Sequence, residues 1–229
     1  MNRGRCDGIL LAAGAGTRYG MPKVLAEDGA WLRGAVHALH AGGCERVYVV
    51  LGATGPPHRA LDDPDDSSLP RWQISQTHGI LIPAAAQPVW ASDWAAGMSA
   101  SLRAGLAAVV AHPAGARAQA RRIGGLPEFV AIMPVDTPDV GPEVVARVIA
   151  AARGAGSGLA RAVFDGRPGH PVVIGRGHWA GVTVALTGKS GAASYLRERA
   201  DMVCVTCGDV ATGWDHDYPR HAHTPSGSK

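Results

Sequence analysis

The stretch Gly8-Ile-Leu-Leu-Ala-Ala-Gly-Ala-Gly-Thr-Arg-Tyr-Gly-Met-Pro-Lys23 constrains this chain more than any other. A short apolar run, Gly8–Ala13, reads as a buried strand, and it breaks into a glycine-rich loop carrying two cations, Arg18 and Lys23. In an open α/β sheet, ligands bind beyond the carboxyl ends of the strands, which is where such a loop is delivered. Small residues at 12–16 let the backbone approach a ligand closely. Successive N–H groups beside two positive charges suit a polyphosphate.

The rest of the chain alternates in the same manner. Arg46–Leu51 is a second strand, and between the two Leu32, Val36 and Leu39 fall at helical spacing before a Gly42-Gly43 stop. Met98–Val110 is a helix with Leu102, Leu106 and Val109 on one face, and Pro142–Ala152 is a helix with proline in its first turn. Phe129–Met133 is a buried strand without alternation, as parallel strands tend to be. Val172–Ile174 and Met202–Val205 are short strands flanking a helical pattern at Ala192–Arg199. This βαβα order predicts a three-layer, Rossmann-like α/β fold with a mostly parallel sheet. One domain over 1–220 is expected, followed by a flexible polar tail, 221–229, that holds His221 and His223. Residues 52–72 read as loop or a short helix at most, with Asp62, Asp63, Asp65 and Asp66 as a solvated surface cluster. Residues 111–125 read as an excursion between helix and strand.

Composition narrows the function. With 229 residues, 46% hydrophobic and 18% charged, the chain can bury one good-sized core. A net charge of +3 suits a small anionic ligand but not the dense basic face that nucleic acid needs. No apolar stretch approaches the roughly 20 residues of a membrane span. The opening "MNRGRCDGILLAAGAG" mimics a secretion signal, but Gly14, Gly16 and Arg18 interrupt its apolar run, so a cytoplasmic address is expected. Four cysteines make no disulfide framework, and the lone Cys204-x-x-Cys207 pair, lacking a second pair, reads as structural in a buried strand.

Three phosphate loops compete for residues 12–23. A Walker A loop needs Gly before its lysine and Ser or Thr after it; here Pro22 precedes Lys23 and Val24 follows. A dinucleotide fingerprint could use Gly14, Gly16 and Gly20, but the second strand ends in Val50-Leu51-Gly52 with no acidic residue for a ribose, and Met21-Pro22 interrupts any helix. The third option wraps backbone amides around a nucleoside triphosphate, with Arg18 and Lys23 neutralising charge. A plain glycine turn with two solvated cations stays open on the residues alone.

"LAAGAGTRYGMPK" resembles the L-A-A-G-x-G-x-R-x-G-x-x-K signature of the MobA-like nucleotidyltransferases, and more narrowly the molybdenum cofactor cytidylyltransferases. "DWAAGMSASLRAGL" (93–106), "MPVDTPDV" (133–140), "GRPGHPVVIG" (166–175) and "DHDYPRH" (215–221) are similar to further family stretches in the family's order. The resemblance implies the nucleotide-diphospho-sugar transferase type of fold. It also implies transfer of a nucleoside monophosphate, CMP from CTP, to the phosphate of molybdopterin with release of pyrophosphate. Alternatives are another phosphate monoester (a sugar or alditol phosphate, or phospholactate), a nucleotide-binding module without catalysis, or an NAD(P)-dependent reductase.

The resemblance also assigns roles. Ala12, Ala13, Gly14 and Gly16 would meet the nucleotide through their backbone, with Gly97, Ser99 and Ser101 completing the pocket at a helix N-terminus. Arg18 would stabilise the leaving pyrophosphate and Lys23 the phosphates during bond exchange. Mg²⁺ is the implied cofactor, held by Asp136, at the end of a buried strand, and by Asp217, with Asp215 as the alternative. Asp136 could instead cap the helix near Pro142, a task for which Asp139 is better placed. His170, in "GRPGHPV", is the candidate for orienting the acceptor, against a plain structural role. The acceptor's phosphate is already an oxygen nucleophile, so no general base is required. Small-molecule substrates, and a transient contact with a molybdoenzyme or its chaperone, are the implied partners. The chain departs from the family at Gly188-Lys-Ser-Gly-Ala-Ala193, where G-D-x-G-A-R is usual, which bears on acceptor recognition.

Overall fold

The computed structural model describes residues 4–60, 71–74, 79–111 and 125–218. Its first strand, β1 (Cys6–Leu11), is almost wholly buried and pairs in parallel on both sides. One neighbour is β2 (Val47–Leu51); the other is β7 (Phe129–Pro134). Outside β2 lies β6 (Ala86–Trp90), also parallel. Outside β7 lies β9 (Arg167–Gly175), antiparallel to β7 and to β8 (Leu159–Phe164). The sheet closes with β10 (Val203–Thr206), parallel to β8, giving the order β10-β8-β9-β7-β1-β2-β6. A separate antiparallel sheet joins β3 (His58–Arg59), β4 (Trp72–Ile74) and β5 (Ile80–Leu81).

Alternation along β1 sends Leu10 to one face and Ile9 to the other, so two apolar clusters form. On the first face pack α1 (Ala26–Ala41), through Leu32, Val36 and Leu39, and α3 (Pro142–Gly154), through Val144, Val148 and Ile149. The other face is covered by α2 (Met98–Ala111), through Leu102, Leu106 and Val109. It is completed by α4 (Trp179–Ala185) and α5 (Ala193–Arg197), through Trp179, Val182 and Leu196. Each fully buried Leu, Val or Ile contributes about 1.5–3 kcal/mol of transfer free energy, so these stripes fix which face each helix presents. The result is the three-layer, mostly parallel architecture that the alternation predicts.

Local expectations fare unevenly. Residues 52–72 are not loop throughout: His58–Arg59 and Trp72 belong to the small sheet. β6 and β8 carry no pattern recognised in the sequence. Pro88 sits in β6 because that strand is an edge with a single neighbour, where a missing N–H is tolerated. The Cys204-x-x-Cys207 strand is not buried; β10 is the opposite edge, Cys204 is exposed and only Cys207 is covered. The acidic cluster at Asp62–Asp66, most of the 111–125 excursion, and His221 and His223 lie outside the described residues.

One buried group pulls against the fold. Asp7 is 1% exposed, and neither carboxylate oxygen has a hydrogen-bond partner of good geometry among the described residues. Burial pushes its pKa up to about 6, despite the opposing charges of Arg46 and Arg5. An unfolded aspartate titrates near 3.9. Between about pH 4 and 6 the unfolded chain ionises while the fold still keeps this carboxyl neutral, so stability falls by about 3 kcal/mol across that window. Asp7→Asn should flatten this decline and raise stability at neutral pH, read by urea unfolding across the same window. An unchanged slope would assign the pH dependence elsewhere.

Candidate active site

Backbone pairing carries the chain past the end of β1 before releasing it. The Ala12 N–H donates to the Val50 carbonyl (3.0 Å), and the Ala53 N–H to the Ala13 carbonyl (2.9 Å). The loop then closes on itself, with the Gly20 N–H donating to the Gly16 carbonyl at 2.8 Å. Gly16 adopts φ +61°, and a Cβ there would collide with the Met21 carbonyl oxygen, so the turn requires glycine. Gly14 is different: a Cβ would meet nothing within 4 Å, which leaves open space in front of its backbone. A single 3₁₀ turn, Lys23–Leu25, pinned by the Leu25 N–H to the Pro22 carbonyl (2.9 Å), then sets Lys23.

The carboxylates arrive from two distant segments. β7 runs beside β1, and the Val135 N–H donates to the Leu11 carbonyl (3.1 Å), which brings Asp136 out at the same edge as the glycine loop. Asp217 comes from a C-terminal segment held by Asp139. The Asp139 carboxylate accepts from the Thr212 N–H and hydroxyl, each at 2.6 Å, and from the Gly213 N–H at 3.2 Å. Asp139 is thus no helix cap; α3 is preceded by Gly141 without a side-chain cap. The His216 N–H donates to the Asp136 carbonyl (3.0 Å). Trp31 of α1 lies between the Tyr19 ring (5.3 Å) and the His216 ring (5.5 Å), joining the loop to this segment.

These segments meet at Lys23. Its Nζ donates to Asp136 Oδ2 (2.7 Å) and Asp217 Oδ1 (2.8 Å), and Arg18 Nη1 reaches Asp217 Oδ2 (2.8 Å). Burial works against the charge on Lys23, but hydrogen bonds to Asp136 and Asp217 outweigh it and lift its pKa above the ordinary lysine value. The same bond from Lys23, with the charges of Lys23 and Arg18, holds the Asp217 carboxyl below the usual range. The Lys23 side chain is 13% exposed and that of Arg18 65%, so the lysine contacts dominate and the arginine contact is weakened by solvent.

Across the cleft, Gly97 adopts φ +112°, and a Cβ there would stand 2.8 Å from the Gly188 carbonyl oxygen. That carbonyl accepts from the Ser99 N–H at 3.1 Å. The 188–193 segment is thereby tied to the start of α2. The cavity between loop and helix has a volume of about 480 Å³. Of the residues to which the resemblance assigns nucleotide, metal or acceptor roles, all but Ser99 and His170 line it. Ser99 is buried, with a hydroxyl that finds no partner among the described residues. His170 lies on β9, where burial, reinforced by Arg161, lowers its pKa to about 4 and keeps it uncharged at neutral pH.

Sequence reasoning covered Trp94 and Met98 only as members of the 93–106 stretch, and it did not place Tyr19 or Lys189 in this cleft. Lys189 was visible only as a departure from a pattern, and its signal was the Gly-Lys-Ser-Gly segment itself. No group of three or more His, Cys, Asp or Glu side chains that could hold a metal occurs among the described residues. Asp136 and Asp217 offer two hard carboxylates bridged by a cation, with Asp215 in the same lining. Such a donor set fits a divalent ion that takes its remaining ligands from phosphate and water.

Residues 8–203 match the MobA-like NTP transferase domain. The chain is 31% identical over 219 residues to a protein named nicotine blue oxidoreductase from Paenarthrobacter nicotinovorans, covering 92% of this chain and 91% of that one. Its structure is similar to Rv0371c of Mycobacterium tuberculosis H37Rv, with TM-score 0.64, 20% identity and coverage of 93% and 94% of the two chains. That protein has also been solved in complex with manganese. The nucleotidyl transferase Mth528 of Methanothermobacter is similar at TM-score 0.56 and 17% identity, covering 89% of this chain and 88% of the other.

The glycine turn gives the first test of the site. Gly16→Ala should weaken binding of a nucleoside triphosphate about tenfold or more, since forcing φ > 0 on alanine costs about 1–3 kcal/mol. Calorimetric titration would read this, with the thermal midpoint showing that the fold is retained. Unchanged affinity would remove the turn from the binding surface.

Proposed function

The chain belongs to the MobA-like NTP transferase family, and from that premise we propose that it transfers CMP from CTP to the phosphate of molybdopterin. It is a nucleotidyltransferase by family. What supports the finer reading is the convergence of Lys23, Arg18, Asp136 and Asp217 on one cleft with open backbone at Gly14.

In this reading the loop amides after β1 hold the nucleotide, and Gly14 lets its backbone touch it directly. Arg18 neutralises charge growing on the departing pyrophosphate. Asp136 and Asp217 would hold Mg²⁺, which when bound would supply Lewis-acid charge to the phosphates. The protein aligns the acceptor phosphate with the α-phosphorus; one P–O bond forms to the acceptor oxygen as the bond to pyrophosphate breaks. Lys189 adds positive charge on the α2 side, where an anionic acceptor would approach. His170, uncharged, can offer a hydrogen bond but no charge. A cytoplasmic location and transient docking with a molybdoenzyme or its chaperone belong to this same proposal.

A second reading follows from the relative named as an oxidoreductase. The same amides could take the pyrophosphate of a reduced nicotinamide dinucleotide, and Trp94 and Tyr19 could flank a planar acceptor. The missing acidic residue after β2 weighs against it, since Leu51-Gly52 offers the ribose no carboxylate.

Four NTPs screened against candidate phosphate monoesters should give metal-dependent pyrophosphate release only with CTP and molybdopterin. Asp136→Asn should lower kcat about 100-fold or more while CTP binding largely survives. Pyrophosphate release with a sugar phosphate alone would change the acceptor. Oxidation of NAD(P)H by a quinonoid dye, without pyrophosphate release, would favour the second reading.

A further inference from the structure

Lys23 sits where the proposed chemistry wants something else. The carboxylates that would hold a divalent cation are both engaged by its ammonium, at 2.7 Å from Asp136 and 2.8 Å from Asp217. A Mg²⁺-sized ion would bind such oxygens at about 2.0–2.1 Å. Keeping both hydrogen bonds while those carboxylates ligate a dication is costly for Lys23, because two like charges would then share one small, poorly hydrated space. Its side chain is 13% exposed, so solvent would screen that repulsion only weakly.

Charge balance points the same way. The two carboxylates face Lys23 and Arg18, and the cluster is neutral. A dication added alone would leave a local excess of two positive charges. A triphosphate brings about four negative charges, enough to draw off both side-chain cations while the carboxylates turn to the metal. The backbone need not move, since the 3₁₀ turn at Lys23–Leu25 anchors the main chain and a rotamer change of the four-carbon stem is enough to redirect the ammonium.

We propose that the Lys23 ammonium is a resident stand-in for the divalent cation, so that Asp136 and Asp217 accept metal only together with a triphosphate. This rests on the triphosphate reading above. It makes Lys23 a positioning group that changes partners, moving from carboxylates to phosphate as substrate enters. Metal loading is therefore coupled to nucleotide, and free metal alone leaves the cleft in its closed-charge form.

The test uses the full chain, Mn²⁺ as the probe and a CTP analogue with a non-cleavable α–β bridge. Electron paramagnetic resonance counts free Mn²⁺ in each mixture. The wild-type chain should bind Mn²⁺ weakly alone and about tenfold or more tightly with the analogue. Lys23→Gln should take up Mn²⁺ without nucleotide, about tenfold more tightly than wild type, and Asp136→Asn in that background should abolish the gain. Lys23→Arg, which retains the charge, should still exclude the metal, and circular dichroism would confirm that each variant is folded. Wild-type Mn²⁺ affinity that is equally tight with and without the analogue overturns the proposal, as does a Lys23→Gln variant that binds Mn²⁺ no better than wild type. Failure of the analogue to bind at all, by calorimetry, strikes the triphosphate reading; the nucleotide-free comparison of wild type and Lys23→Gln still decides the stand-in role.

Discussion

Parallel pairing of β1 with both β2 and β7 is the constraint on which the site depends. Strands running in one direction end at one edge, so the glycine loop after Leu11 and the Asp136 segment after Pro134 leave the sheet side by side. An antiparallel neighbour would send one of them to the opposite end, some six residues of strand away. The core stripes of α1, α2 and α3 enforce this register, because a slip of one residue would turn Leu10 and Ile9 to the wrong faces. Packing therefore sets the electrostatics: cations and carboxylates meet because apolar side chains fix the strands that carry them.

The glycine loop, the helices with clear apolar faces and the strand before Asp136 were legible because each is a strong local signal. Leu102, Leu106 and Val109 repeat at helical spacing, and the Phe129–Met133 run has few alternatives. β6 was not legible: Pro88 and a half-exposed Trp90 in an edge strand satisfy neither alternation nor continuous burial. β8 hid because Arg161 interrupts its apolar pattern. The exposure of Cys204 could not be read either, since an edge strand and a central one share a composition when only the neighbours differ.

Within the site, local chemistry was legible and pairing was not. Arg18, Lys23, Asp136 and Asp217 stand out by residue type and position, but nothing in the order of residues says that the lysine bonds both carboxylates. Asp139 illustrates the same gap. Its spacing before Pro142 suits a helix cap, yet its carboxylate holds Thr212 and Gly213, some seventy residues on. Long-range partners compete with local ones for the same oxygen, and the sequence displays only the local candidates.

The aromatic contact through Trp31 has a temporal side. Tyr19 belongs to the first loop of the chain and His216 to nearly its last described segment, and one indole ring touches both. Two of the pocket's carboxylates, Asp215 and Asp217, join it only when that late segment docks. A chain with its sheet complete but this segment undocked would possess the loop and Asp136, yet lack the Asp217 carboxylate that both Lys23 and Arg18 meet. The second carboxylate facing Lys23 thus depends on one closing contact, made when the 212–217 segment folds back over the first loop.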